Sequence, residues 1–227
     1  MVEAVVVDIE GTTSSTAYVT EVLYPYARER FARWLAVHAE DPDVRPHVAA
    51  VRAAAPEADV AATLQRWVDE DRKTTALKAI EGWIWDEGFA AGELTSHFYP
   101  DAIAGLRRWH AVGMTLWVFS SGSVTAQRAW FGHSPSGDLT SIVSGWFDTA
   151  NAGAKADTES YRHITAAIAV AADRTVFLSD VVAELDAARA AGWATIGVRR
   201  HGDRWYDVGV PGHPEVESFD EVDAVLG

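Results

Sequence analysis

Four short polar strings carry most of the residues able to do chemistry, and each follows an apolar run. The first is Asp8-Ile9-Glu10-Gly11-Thr12-Thr13. A turn can hold its two carboxylates side by side, and Gly11 lets backbone approach a ligand; a plain capped loop fits the same string. The second, Ser120-Ser121-Gly122-Ser123, opens a helix, where hydroxyls and free N–H groups cradle phosphate or simply N-cap. The third is Lys155 in Asn151-Ala152-Gly153-Ala154-Lys155, a cation in a tight loop. The fourth runs from Ser179-Asp180 to Glu184 and Asp186. Carboxylates from two strand ends and a backbone carbonyl suit magnesium, which prefers oxygen ligands and keeps several waters. The alternative is a helix start with acids in its first turn. Each string alone has a structural explanation, but together those explanations need four coincidences at one sheet edge.

The joint chemistry is phosphoryl transfer to a carboxylate. A carboxylate about 4 Å from a phosphate oxygen is repelled by roughly 4 kcal/mol at an effective dielectric near 20. A divalent cation at Asp8, with Lys155 and the serine N–H groups, cancels that repulsion. Asp8 then serves as nucleophile through an aspartyl-phosphate, and Glu10 as the acid and base.

The elements that must position these groups follow from hydrophobic pattern. Val5-Val6-Val7, Met114–Phe119, Thr175–Leu178 and Ala194–Val198 read as buried strands, with 142–143 and 146–148 as weaker candidates. Helical spacing is expected around 18–35, 43–54, 60–79, 84–97, 103–111, from 124, and over 158–172 and 182–190. Alternating strands and helices with uniformly apolar strands imply a parallel sheet covered on both faces. Ligands of such sheets sit beyond the strands' carboxyl ends. The division is residues 1–17 and 99–227 as the α/β core, with 18–98 as an all-helical insert.

The 227 residues include no cysteine, so thiolate chemistry and disulfides are excluded. With 19 Lys and Arg against 33 Asp and Glu, the net charge of −14 disfavours nucleic acid and anionic membranes. No apolar run approaches the roughly 20 residues of a membrane span, and the N-terminus lacks a basic signal-like region. A cytoplasmic location is expected. The ten tryptophans are scattered as packing anchors, and the eight histidines show no paired ligand spacing.

Asp8, Ser120, Lys155 and Asp180 match, in order, the four motifs of the haloacid dehalogenase superfamily. Asp-Ile-Glu-Gly-Thr-Thr, with Glu10 in the second acidic place, resembles the enolase-phosphatases of methionine salvage. So do Val22–Ala27, Leu77–Trp85, Phe119–Val124, Phe131–Ser134, Glu159–Tyr161 and Phe177–Gly192. The resemblance covers residues 4–198. It implies a Rossmann-like core with a helical cap, in a monomer that acts on a small-molecule phosphate. It also implies Asp8 as nucleophile, Glu10 and Lys155 as catalytic partners, and Ser120, Ser121 and Lys155 as phosphate holders. Mg2+ would lie on Asp8, Glu10 (through its carbonyl) and Asp180. The reaction implied converts 2,3-diketo-5-methylthiopentyl-1-phosphate, by enolisation and loss of phosphate, to the acireductone 1,2-dihydroxy-3-keto-5-methylthiopentene. Another small phosphate ester with the same mechanism, or an idle phosphate-binding domain, are the alternatives. Two departures bear on substrate rather than chemistry: Glu81 stands in place of glutamine, and Arg199–Asp203 replaces an Arg-Pro-Gly-Asn ending. Facing substrate, Glu81 is an unfavourable anion; facing solvent, it means little.

Overall fold

A computed structural model describes residues 1–226. Its centre is a six-stranded parallel sheet in the order β3-β2-β1-β4-β5-β6. The strands are β1 (Ala4–Val7), β2 (Thr115–Phe119), β3 (Gly145–Phe147), β4 (Thr175–Ser179), β5 (Ala194–Val198) and β6 (Glu215–Val216). Every residue of β1 is buried, because side chains alternate between two covered faces. Val5 and Val7 join one apolar cluster with Leu116, Val118 and Leu178. Ala4 and Val6 join the other with Phe119, Phe177, Tyr161 and Leu185.

Register turns this sheet into a platform. Val7 pairs with Val118 of β2 and with Leu178 of β4. The residues just beyond those pairs therefore leave the sheet at nearly one level: Asp8 after β1, Ser120 after β2 and Asp180 after β4. Phe119 pairs with Phe147, which puts the loop after β3 beside the same edge.

Between β1 and α6 (Pro100–Ala111) the chain forms only helices: the short α1 (Thr16–Tyr18), a π-helical turn Val19–Leu23, α2 (Tyr24–His38), α3 (Arg45–Ala54), α4 (Val60–Asp69) and α5 (Thr75–Ala90). α5 buries ten of its sixteen residues and leaves Asp86 and Glu87 exposed. It packs on α7 (Val124–Gly132), the helix that follows Ser120–Ser123. Gly82 permits this approach, since a Cβ there would lie 2.2 Å from Ser123 Oγ. The remaining helices are α8 (Thr158–Ile168), α9 (Val182–Ala190) and α10 (Val222–Leu226). Among the described residues no helix is long and apolar enough to cross a membrane.

Several boundaries differ from the sequence reading. The helix expected over 60–79 breaks at 70–74, where Asp71 is left-handed (φ 50°) and Thr74 N-caps α5 by accepting from Leu77 N–H. The helix expected over 84–97 ends at Ala90, and residues 95–99 are irregular; Tyr99 is held extended by the Pro100 that starts α6. The helix expected to reach 172 stops at Ile168, with Ala169 left-handed. The strand candidate at 142–143 is not a strand, since Ile142 ends the 3-10 turn Thr140–Ile142, and the two-residue β6 carried no sequence signal. Seven tryptophans are packing anchors as expected, Trp109 being 1% exposed. Trp205 is not; it is 36% exposed, in the loop after β5.

Candidate active site

The loop after β1 folds around the Ile9 carbonyl. Thr12, Thr13 and Ser14 N–H all donate to Ile9 O, and Thr13 Oγ1 donates to Asp8 O at 3.1 Å. Asp8 is 4% exposed, and its Oδ1 accepts from Ile9 N–H at 2.8 Å and from Lys155 Nζ at 2.7 Å. Oδ2 has no such partner among the described residues. Gly11 (φ 71°) is required here for space as well as conformation, since a Cβ would lie 2.1 Å from Asp180 Oδ2.

Lys155 is buried at the end of the loop after β3. Tyr161 hydroxyl donates to its carbonyl at 2.8 Å, and its ammonium bridges Asp8 Oδ1 and Glu184 Oε2, both at 2.7 Å. Burial alone pushes this ammonium towards neutrality, but the two carboxylates outweigh it and raise the pKa above the ordinary lysine value. Lys155 therefore remains a fixed positive charge. Glu184 is further held by Ser179 Oγ at 3.0 Å. Asp186, two residues on and roughly 200° around the helix, instead meets Arg189 in solvent.

The serine loop satisfies both readings of its sequence at different residues. Ser123 is the N-cap of α7, accepting from Ala126 N–H at 3.3 Å. Ser120 and Ser121 line the acidic cavity instead. Gln127 Nε2 pins the loop by donating to Gly122 O (2.7 Å) and Phe147 O (2.8 Å).

Asp180 supplies the test of a cation site. Its Oδ1 is buried with no hydrogen-bond partner. Burial, and then the charge of Asp8, push its pKa up to about 8. A desolvated carboxylate beside a second one is the situation a divalent cation relieves. No cluster of three or more His, Asp or Glu groups is poised as a cage among the described residues. Magnesium, which commonly takes one or two carboxylates and completes its shell with water, fits that donor set.

Two cavities adjoin at this edge. One is lined by Asp8, Glu10, Ser120, Lys155, Asp180 and Glu184, and also by Lys73, Arg204 and Trp205. The other is mostly apolar, with walls of Val19, Leu23, Trp85, Phe89 and Trp130. Glu10 and Ser120 border both. Burial raises the Glu10 pKa, against the opposing pull of Lys73 and Lys78. A carboxyl group shifted that way is suited to giving and taking a proton.

All six residues expected at the site line the acidic cavity. Sequence reasoning missed Lys73, Lys78, Arg204 and Trp205. The signal for Lys78 was its i, i+3 spacing to Glu81 inside an otherwise apolar helix; nothing local marks the others. Glu81 faces neither solvent nor open cavity: it is fully buried and paired with Lys78 at 2.9 Å. The 199–203 departure is architectural. Arg200 Nε donates to Thr12 O (2.8 Å) and its Nη1 to Asp101 (2.7 Å), while Asp203 accepts from Thr16 N–H (3.0 Å) and Tyr99 hydroxyl (2.8 Å). These bonds bind the loop carrying Arg204 and Trp205 to the loop carrying Asp8.

Comparison with known proteins shows the family. Residues 2–192 match the haloacid dehalogenase-like hydrolase family. The chain is 55% identical to Enolase-phosphatase E1 of Streptomyces avermitilis, over 96% of this chain and 93% of that one. It is 53% identical to the protein of the same name from Frankia alni, over 97% and 94%. Among solved structures, the UTR4 protein of Saccharomyces cerevisiae superposes with a TM-score of 0.78 at 30% identity, covering 97% of this chain and 99% of that one. CbbY from Rhodobacter sphaeroides, solved with phosphate, shares the fold at a TM-score of 0.65 and 19% identity, over 98% and 96%. The chain belongs to the haloacid dehalogenase-like hydrolases, and within them to the family of proteins named enolase-phosphatase E1.

Proposed function

We propose that the protein is an enolase-phosphatase that converts 2,3-diketo-5-methylthiopentyl-1-phosphate to the acireductone 1,2-dihydroxy-3-keto-5-methylthiopentene and phosphate. The observation that carries this reading is the pair of adjoining cavities. The acidic one suits a phosphate and the apolar one a methylthioalkyl tail, and they meet at Glu10 and Ser120.

Ser120, Ser121 and Lys155 hold the phosphate oxygens, with Lys155 fixed by Glu184. Asp8 Oδ2 attacks phosphorus while Glu10 gives a proton to the departing oxygen. The bond from phosphorus to that oxygen breaks as the bond to Asp8 forms. Glu10, now ionised, takes a proton from water, which attacks the aspartyl-phosphate and releases inorganic phosphate, restoring Asp8. We assign Mg2+ to the Asp8 and Asp180 carboxylates and the Glu10 carbonyl. When bound there it supplies the charge that offsets repulsion between carboxylate and phosphate. Residues 18–98 act as a cap, bringing Lys73 and the apolar wall over the core formed by 1–17 and 99–227. A monomeric cytoplasmic enzyme is part of this reading.

The test is a magnesium-dependent assay with the diketone phosphate, following acireductone absorbance and free phosphate together. Both should rise in step. Phosphate release from generic esters without turnover of the diketone would replace this reading with a phosphatase of another small ester.

A further inference from the structure

The helices between β1 and α6 contain a buried charged cluster that phosphoryl transfer does not use. On α5, Lys78 is 6% exposed and Glu81 0%. Lys78 Nζ donates to Glu81 Oε2 at 2.9 Å and to Tyr24 hydroxyl at 3.2 Å, and lies 4.5 Å from the centre of the Tyr24 ring. Glu81 Oε1 has no partner. Such a pair is a poor device for stability, because apolar replacements of similar volume are often neutral or better. Its position suggests another use. Lys78 lines the apolar cavity together with Glu10, and the two groups feel each other's charge.

An ammonium has three donors. Glu81 and Tyr24 take two and orient the third. Burial opposes the charge on Lys78, but Glu81 and Tyr24 outweigh it and hold its pKa above the ordinary value. It is therefore a permanent cation and not a base. In apolar surroundings one fixed charge acts strongly on a developing anion.

We propose that Lys78 binds a carbonyl oxygen of the substrate and stabilises the enolate that forms there, with Glu81 and Tyr24 positioning its ammonium. This deepens the enolase-phosphatase reading and rests on it. Glu10 takes the proton from the carbon next to that carbonyl. The C–H electron pair becomes the new C=C bond, and the carbonyl π pair moves to oxygen beside Lys78. Glu10 then returns the proton to that oxygen, leaving a neutral enol. It takes from solvent the proton it later gives to the departing oxygen, and loses its proton to solvent again after phosphate release. No electrons or further reactants are needed, and Lys78 keeps its proton throughout.

The experiment compares the wild-type protein with K78M and K78M/E81L, each with magnesium. Enolisation is read as exchange of the substrate's carbon-bound hydrogen with deuterated solvent. Phosphoryl transfer is read with p-nitrophenyl phosphate, which has no carbonyl to enolise. The ratio of enolisation to phosphate release should fall at least about 100-fold in both variants, the usual cost of losing one donor to a developing oxyanion. K78M leaves Glu81 buried and unpaired and is expected to melt lower; the double variant removes both partners and should recover that stability. A ratio that stays at the wild-type value in K78M, or returns to it in the double variant, would make the pair merely structural and overturn the proposal. A wild-type protein that releases phosphate from the diketone without enolising it overturns the enolase-phosphatase reading itself, and is distinguished by needing no variant.

Discussion

The acidic edge of the sheet and the apolar cavity beneath α5 adjoin, yet they are built on opposite principles. At the edge, Asp8, Lys155, Glu184 and Asp180 crowd together: Asp8 and Asp180 directly follow strands, Lys155 lies in the loop between β3 and α8, and Glu184 in the first turn of α9. Backbone register places Asp8 and Asp180, and ion pairs hold Lys155 and Glu184 against them. In the cavity a single cation, Lys78, stands among Trp85, Phe89 and Trp130, paired behind the wall with the buried Glu81. Helix packing fixes that surface. In the proposed reading the edge carries phosphoryl transfer, while the cavity holds the tail and, through Lys78, the enolising carbonyl.

That division can be broken first at the nucleophile. Asp8→Asn should reduce phosphate release by on the order of 10^3-fold or more with every substrate, since it removes the attacking group. Steady-state kinetics with the diketone and with p-nitrophenyl phosphate check this, and a substrate-dependent loss would blur the two regions. Lys155→Ala comes next, at about 10^2- to 10^3-fold in kcat. It also leaves Asp8 and Glu184 buried without their cation, so thermal melting should fall in the same variant.

A change in the cavity should act differently. Leu23→Ala removes packing from its wall and should lower kcat/KM for the tail-bearing substrate about 10-fold relative to a short phosphate ester. Measuring both substrates side by side gives the ratio; an equal loss on each would mean the cavity does not hold the tail.

The smallest effect lies in the struts outside both regions. Asp101 is half-buried. Burial disfavours its charge, yet the Phe219 N–H and Arg200 prevail and hold its pKa below the ordinary value. A carboxylate depressed on folding contributes stability above its unfolded pKa and loses it as pH falls through the folded one. Asp101→Asn should therefore lower the melting temperature by a few degrees at neutral pH, with the gap to wild type closing below about pH 4. Melting curves from pH 3 to 7 would show it.

What was legible in the sequence follows the same division. Asp8, Ser120 and Asp180 could be read because a β-branched or aromatic run ending in a polar residue is a local signal, and parallel register then aligns such ends. Lys155 was legible only in company with them. Glu184 and Asp186 looked equivalent, since periodicity shows their separation but not which side faces the sheet. Lys73, Arg204 and Trp205 could not be found, because loops bring them to the cavity only after α4 breaks at 70–74 and Arg200 ties down the chain after β5. Glu81 had two expected orientations, and the structure gives it a third, buried against a lysine one turn away. Pairings of this kind depend on what a helix packs against, which no local pattern states.

The central claim is that phosphate passes through Asp8. The most direct measurement is rapid quenching during turnover, followed by borohydride reduction and mass spectrometry of the peptide containing residue 8. An acyl phosphate at Asp8 predicts homoserine at that position, appearing within the first turnover and only when magnesium and substrate are both present. Rapid phosphate release with Asp8 unmodified at every quench time, and retained by Asp8→Asn, would contradict it.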